Sequence, residues 1–303
     1  MKTPRITIVT PSYNQATFLE STILSVLGQE YPDCEYIVMD GGSTDGSVDI
    51  IKKYSAELSH WESGPDGGQA AAIRKGFNIA RGEILGWLNS DDVLMPGCLR
   101  TVATEFPDDP EVIAIAGRSV FIDSANRPIG VTVPKARRTW NDMLFWGHGL
   151  AQMATFWRRC AYEAVGGLDT TLSFSFDYDL FVRLKRAGDM RLVPHYLAAF
   201  RLHPRQKTAT CLRVGRSDDQ RICQKYGRGS FPRFSAMARR ARPAQRIANR
   251  LAWMKDQRSL ETLCRTWLEG EPIRSMVSHL GSGSPECLSR TEYRNGHTLP
   301  NTD

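Results

Sequence analysis

Over residues 6–88, short apolar runs alternate with amphipathic segments, and each apolar run gives way to polar residues, proline or glycine. Ile6 to Thr10, Tyr36 to Met39 and Glu83 to Leu88 read as buried strands, with a short one around Ser59 to Glu62. Between them, Phe18 to Leu27, Val48 to Leu58 and Gln69 to Ala80 carry apolar residues at helical spacing, such as Phe18, Leu19 and Ile23. Strands separated by helices can pair in parallel, because a parallel pair needs a long crossover. The alternation therefore predicts an α/β unit with a mostly parallel sheet covered by helices on both faces.

Beyond residue 107 that rhythm breaks. Val112 to Ala116 and Ser119 to Ile122 look like two strands, followed by a turn through Asp123 to Pro128. A basic stretch (Lys135, Arg137, Arg138) and an aromatic one (Trp140 to His148) come next. Leu150 to Trp157 reads as a strand, Tyr178 to Arg186 as a helix and Met190 to Arg201 as a last strand pair. The expected organisation is a catalytic-type unit over 1–210, a basic helical extension over 211–280 and a polar, disordered tail over 281–303.

Charge follows the same division. The net charge is +6, yet residues 1–210 carry 22 Lys and Arg against 24 Asp and Glu, while residues 211–303 carry 17 against 9. The seven cysteines are scattered with no Cys-x-x-Cys pair, which argues against a disulfide framework or zinc site and fits a reducing cytoplasm. No run of about 18 apolar residues is present, so no membrane-spanning helix is expected. The N-terminus leads straight into a strand without an apolar signal segment.

The chemistry gathers where strands end. Ile84 to Leu88 stops in Asn89, Ser90, Asp91 and Asp92, which places acids where open α/β sheets bind ligands. Oxygen ligands there suit a hard divalent ion and a phosphate. Thr10-Pro11-Ser12-Tyr13-Asn14 closes the first strand, and Pro11 is expected to turn the chain because proline cannot extend a ladder. Asp40-Gly41-Gly42-Ser43-Thr44-Asp45-Gly46 closes the second, with Asp45 expected to cap the next helix. Asp40 has no capping role there and is free to accept from a ligand. Neither a Gly-x-Gly-x-x-Gly fingerprint nor a Gly-x-x-x-x-Gly-Lys-Ser/Thr phosphate loop occurs at these turns.

Together, Ile8 to Asn14, Ile37 to Gly46 and Leu88 to Asp92 resemble, in order and spacing, the family 2 glycosyltransferases, whose catalytic domain has the fold called GT-A. The similarity runs over residues 4–208 and implies a Rossmann-like sheet, a nucleotide-sugar donor and inversion at the anomeric carbon. On that resemblance Pro11, Tyr13 and Asp40 hold the nucleotide, with Asp40 reading a base that is usually uracil. Asp66 and Arg74 also touch the donor, as do Asn89 and Ser90. Asp91 matches the last acid of the family's Asp-x-Asp motif and binds Mn²⁺ or Mg²⁺ on the diphosphate. Asn89 replaces the motif's first acid and contributes no charge.

The resemblance also implies a base. Phe176-Asp177 stands where the family has Glu-Asp before a helix, which makes Asp177 the general base for the acceptor hydroxyl. Asp179 is expected only to complement the first turn of that helix. His203 falls at a position where family members often carry a metal-side histidine, and Lys207 or Arg205 holds the diphosphate. His148 and Gln152 are placed at the acceptor. The expected acceptor is a hydroxyl on a glycan, a glycolipid, another lipid-linked sugar or a polysaccharide precursor.

For the Arg-rich tail (Arg233, Arg239, Arg240, Arg242, Arg246, Arg250), two uses stand side by side: peripheral contact with an anionic membrane, or an apolar stripe of Ile247, Leu251 and Met254 packed on the core. Nucleic-acid binding is not expected, because no nucleic-acid module accompanies the arginines. Two rival functions remain. One is a degenerate nucleotide-sugar binding module, suggested by Asn89 and Phe176. The other is a sugar nucleotidyltransferase, which would want a Gly-rich, basic loop that Thr10 to Gln15 lacks.

Overall fold

The computed structural model describes residues 3–135, 137, 139–227, 247 and 249–264. Its first half is the expected alternation: β1 (Ile6–Ser12), α1 (Ala16–Leu27), β2 (Cys34–Asp40), α2 (Ser47–Lys53), β3 (His60–Ser63), α3 (Gln69–Ile79) and β4 (Ile84–Trp87). The short β5 (Val93–Leu94) and the helix α4 (Cys98–Glu105) follow. The second half holds β6 (Val112–Ile122), β7 (Pro128–Thr132), α5 (Trp140–Trp146), β8 (Thr155–Arg158), α6 (Arg159–Ala164), α7 (Phe176–Ala187), β9 (Asp189–Arg201), α8 (Lys207–Thr210) and α9 (Leu212–Lys225). One sheet runs β3-β2-β1-β4-β8-β6-β9-β5, with β7 paired to β6. The stretch β3-β2-β1-β4 is parallel. β8 then joins it antiparallel to both β4 and β6, and β6 and β9 are parallel.

Side-chain alternation along β1 explains the two-faced core. Val9 joins Ile73, Phe77 and Trp87 on one face, whereas Ile8 joins Leu19, Ile23 and Tyr54 on the other. Trp157 anchors the first cluster, with its ring 5.3 Å from Trp87, 5.9 Å from Phe77 and 6.1 Å from Phe181. Such tilted aromatic pairs contribute about 0.5–1.5 kcal/mol each beyond their area burial.

Pro11 does not turn the chain. It pairs opposite Met39 within β1. The Val9 carbonyl accepts from Leu88 N–H and the Ser12 carbonyl from Gly41 N–H, so odd residues of β1 face β4 and even ones face β2. Pairing with β4 ends at Val9 opposite Trp87. The Pro11 nitrogen therefore points past the end of that ladder and no hydrogen bond is lost.

Three other expectations change. Met190 to Arg201 forms one 13-residue strand rather than a pair. Val112 to Ile122 is likewise continuous, carried through its register shifts by Gly117. A Cβ there would lie 2.6 Å from Leu197 Cδ1 and 2.8 Å from the His195 carbonyl, so only glycine lets β9 come this close. Residues Gln152–Ala154 make a turn of 3-10 helix before β8 starts at Thr155. That turn carries Gln152 toward β4 instead of leaving it in a ladder.

A helical stretch over 249–264 lies against β6, β7 and β9 through Leu260, Cys264, Ala252 and Trp253. Ile247, Leu251 and Met254 do not pack on the core, because each is at least 60% exposed. The cations Arg233, Arg239, Arg240, Arg242 and Arg246, and the tail over 281–303, lie outside the described residues. Among those described, no helix is long and apolar enough to cross a membrane, and no disulfide joins the cysteines.

Candidate active site

The carboxyl ends of β1, β2, β3 and β4 all open onto one cavity of about 570 Å³. Of the residues predicted to hold a donor, it gathers Pro11 and Tyr13 from the end of β1, Asp66 from the loop before α3, Asn89 and Ser90 after β4, and Lys207 from α8. Asp91 joins them. Ser12 lies in the same wall, and its buried hydroxyl has no hydrogen-bond partner among the described residues. Buried hydroxyls are rarely left unpaired, so this one is available to a ligand. Gly41 is needed for the shape: a Cβ there would stand 2.8 Å from the Asp66 carboxylate and 3.3 Å from the Tyr13 ring.

Asp40 is not among the lining residues. Its buried carboxylate turns inward, where Oδ2 accepts from Gly42 N–H (3.1 Å), Ser43 N–H (2.9 Å) and Ser63 Oγ–H (2.6 Å). Oδ1 accepts from the Ser43 hydroxyl at 2.5 Å. Asp40 thus shapes the 40–43 turn, contrary to the expectation that it is spared local hydrogen bonding. Asp45 accepts from Ala16 N–H at 2.9 Å and Ser47 N–H at 3.1 Å, so it joins the starts of α1 and α2. Arg74 also lies away from the cavity wall, donating to the Leu168 carbonyl at 2.8 Å.

The segment after β4 divides its labour. Asp91 faces the cavity, and its Oδ2 lies 3.0 Å from His203 Nε2. The His203 ring is buried against Phe18 at 4.7 Å. Asp92 is fully buried, accepting from Arg201 N–H at 3.0 Å and from the Asn89 amide at 3.3 Å. Burial first, and the neighbouring Asp91 charge second, hold its carboxyl well above the usual range. Arg201 is buried over the Phe18 ring and donates Nε–H to the Asp91 carbonyl at 2.8 Å. It therefore fixes the backbone that presents Asp91.

Asn89 and Lys207 are connected by Gln69, which the sequence did not single out. The Gln69 amide donates to Asn89 Oδ1 at 2.9 Å, and its oxygen accepts from Lys207 Nζ at 2.9 Å. Asn89 also donates toward Gln152 Oε1 at 3.3 Å, while Gln152 donates to the Trp87 carbonyl at 2.8 Å. Gln152 is thus a support beneath Asn89, at a position outside the cavity lining. An Asp at 89 would present a second carboxylate to Asp92 and an acceptor to Gln152, so the amide suits these neighbours.

A second cluster stands beside the cavity at the start of α7. Phe176 is buried against Trp87 at 5.9 Å, with the Lys207 ammonium 5.5 Å above its ring. The next residue, Asp177, accepts from Tyr178 N–H at 2.8 Å through Oδ1. His148 Nε2 lies 3.9 Å from Asp177 Oδ2. The turn before α7 is held by Asp218 of α9, whose carboxylate accepts from Phe174 N–H at 2.8 Å. Asp179 does more than complement the helix: fully buried, it pairs with Arg183, Lys225 Nζ at 3.0 Å and Tyr226 O–H at 2.9 Å, tying α7 to α9.

Asp219, also missed in the sequence, adds a titrating group here. Burial pushes its carboxyl up to about 6; a hydrogen bond from Ser175 opposes this and the charges of Asp177 and Asp218 add to it. A carboxyl raised in the folded state stabilises the fold below its unfolded value of about 3.9 and loses that contribution as pH rises through the folded value. Asp219→Asn is therefore expected to gain stability relative to the parent as pH climbs from about 4 to about 6. Thermal unfolding across that window measures it. Parallel Tm-versus-pH curves for the two proteins would show that Asp219 does not titrate there.

The fold and site define a GT-A type α/β protein, with a ligand cavity at the carboxyl edge of the parallel strands and an acid aimed into it. The chain belongs to the family described as Glycosyl transferase family 2, whose sequence profile matches residues 7–160. It is 27% identical over 217 residues to an uncharacterised glycosyltransferase of Rickettsia typhi, covering 69% of this chain and 67% of that one. It is 27% identical over 194 residues to the hyaluronan synthase of Pasteurella multocida, covering 63% of this chain but 20% of that protein. Among solved structures, S. aureus TarS in complex with UDP-GlcNAc is similar at a TM-score of 0.57 and 16% identity, over 71% of this chain and 65% of that one. A mannosyltransferase from Pyrobaculum calidifontis, in complex with GDP-Man and Mn²⁺, is similar at a TM-score of 0.55 and 18% identity, over 92% and 80%.

Proposed function

We propose that the protein is an inverting, metal-dependent glycosyltransferase that moves a hexose from a nucleotide-sugar donor, UDP-linked, to a hydroxyl of a glycan, glycolipid or polysaccharide precursor. The observation that carries this reading is the convergence, on one cavity, of residues from three motifs far apart in the chain, with the Asp177 cluster alongside it. The named substrates of the relatives agree with a sugar nucleotide, since TarS is complexed with UDP-GlcNAc and the mannosyltransferase with GDP-Man.

In this reading Tyr13, Pro11 and Asp66 flank the base, with the Ser12 hydroxyl as a further donor or acceptor. Asp40 acts indirectly, by shaping the turn at Gly41. Lys207 and the first residues of α3 face the diphosphate. Asp177 removes the proton from the acceptor hydroxyl while that oxygen attacks the anomeric carbon. The bond from that carbon to the diphosphate breaks on the opposite side, which inverts the configuration.

Asp91 and His203 would hold the metal. Among the described residues no group of three ligating side chains forms, so the protein offers one carboxylate and one imidazole, leaving the rest to diphosphate and water. That mixed set suits Mn²⁺ better than Mg²⁺, which prefers oxygen ligands throughout. When bound, the ion neutralises charge on the leaving diphosphate as a Lewis acid.

The binding-module alternative rests on Asn89, which removes one charge from the site. Measuring nucleoside diphosphate release from UDP- and GDP-sugars separates the two. Turnover is expected with Mn²⁺ and is expected to fall below detection in Asp91→Ala, which keeps its fold. Equal donor affinity with and without Mn²⁺ in calorimetry would remove the metal assignment, and binding without turnover across the panel would favour the module.

A further inference from the structure

We propose that His148 is a positioning residue for Asp177: its Nε2–H is aimed at Asp177 Oδ2 and fixes the orientation of that carboxylate. The inference rests on the reading of Asp177 as the base. It starts from the tautomer. Leu150 N–H donates to His148 Nδ1 at 3.2 Å, so that nitrogen carries a lone pair and the proton of the neutral ring sits on Nε2. Nε2 is the atom 3.9 Å from Asp177 Oδ2.

The loop that carries His148 is pinned on both sides. Gly147 and Gly149 both have positive φ, 78° and 67°. The Gly147 carbonyl accepts from Arg137 Nε at 2.9 Å, and the Gly149 carbonyl from Lys135 N–H at 2.8 Å. The imidazole lies against α7 itself, 5.8 Å from the Tyr178 ring and 5.4 Å from Phe181. Tyr178 O–H donates to the Met143 and Leu144 carbonyls, which ties α7 to α5 just ahead of the loop. The helix that carries the base and the loop that carries the imidazole are therefore one packed unit.

Asp177 fits the arrangement from its side. Oδ1 is occupied by Tyr178 N–H at 2.8 Å, which leaves Oδ2 turned to His148. A separation of 3.9 Å is longer than a hydrogen bond. Catalytic contacts are often loose without substrate and tighten in the complex. The charged groups facing the imidazole are Asp177 and Arg137, and burial keeps the ring below its ordinary value, so it donates as a neutral group. His148 itself takes no proton in the reaction.

Two measurements test this, and they fail separately. The chain has six histidines, few enough to assign imidazole nitrogen shifts by comparison with His148→Gln. The expected result in the intact protein is the Nε2–H tautomer, with a titration midpoint that falls in Asp177→Asn. An Nδ1–H tautomer, or a midpoint that ignores Asp177→Asn, would overturn the proposal whether or not the protein turns over. In transfer assays, His148→Phe is expected to lower kcat about tenfold with the donor KM unchanged. His148→Gln, which restores an N–H donor, is expected to recover most of the rate. In the Asp177→Asn background His148→Phe is expected to have no further effect. Loss of the same size in that background, or no rescue by Gln, would mark a merely structural side chain.

Discussion

Asp177→Asn is expected to slow transfer by about 10²–10⁴-fold, the usual contribution of a positioned general base, while donor affinity stays within about twofold. The substitution is close to isosteric, and the Asn oxygen can still accept from Tyr178 N–H, which now bonds to Asp177 Oδ1. Phe176 on one side and buried Tyr178 on the other keep the helix start packed. What disappears is the one property the reaction needs, a basic oxygen beside the acceptor hydroxyl. Asp177 lies outside the lining of the donor cavity, so donor binding is decoupled from the change. Steady-state rates with saturating donor, together with calorimetric affinity for the nucleoside diphosphate, make the measurement. A variant with near-parental turnover would exclude Asp177 as the base. Equal losses of binding and rate would instead place it in the donor site.

The residues that the sequence located well are those whose role is set by local chain direction. A strand ending in Asn89, Ser90, Asp91 and Asp92 must deliver polar atoms to the sheet edge, and it does. The resemblance singles out Asp91, but the burial of Asp92 beside it is not legible in the local pattern. It depends on Arg201, more than a hundred positions later, which buries one carboxyl and fixes the carbonyl of the other. Asp40 shows the same limit. Its position at the end of β2 follows from the pattern, but the inward turn of its carboxylate depends on the hydroxyl of Ser63 at the end of β3. Gln69 looked like an ordinary first residue of a helix, and only its two partners across the cavity make it a bridge. Asp218 and Asp219 sit in a segment that reads only as a basic helix, yet they reach the turn before Asp177. Pro11 stays in the strand because the ladder with β4 ends at Val9, a limit set by the length of β4 and not by any residue near Pro11.

Arg201→Met is expected to destabilise the fold by about 3–5 kcal/mol, the cost of breaking a buried charge arrangement from one side. The guanidinium is buried, and it donates to the Asp91 carbonyl at 2.8 Å, to Asn126 Oδ1 at 2.5 Å and to the Asp123 carbonyl at 3.2 Å. Methionine fills much of the space but satisfies none of these acceptors. It also removes the positive charge that partly offsets the buried Asp92 carboxyl, whose protonation is already favoured by burial. Asp92 then rises further. A carboxyl raised in the folded state helps the fold at low pH and stops helping as pH climbs through its folded value. The deficit of Arg201→Met is therefore expected to be smaller at pH 5 than at pH 8. Adding Asp92→Asn to Arg201→Met is expected to recover part of the loss at pH 8, because an amide needs no compensating charge. Urea unfolding of the parent, the single variants and the double variant at both pH values makes the comparison. A deficit that is the same at both, together with no recovery in the double variant, would show that Arg201 acts through packing alone and that the charge of Asp92 is balanced elsewhere.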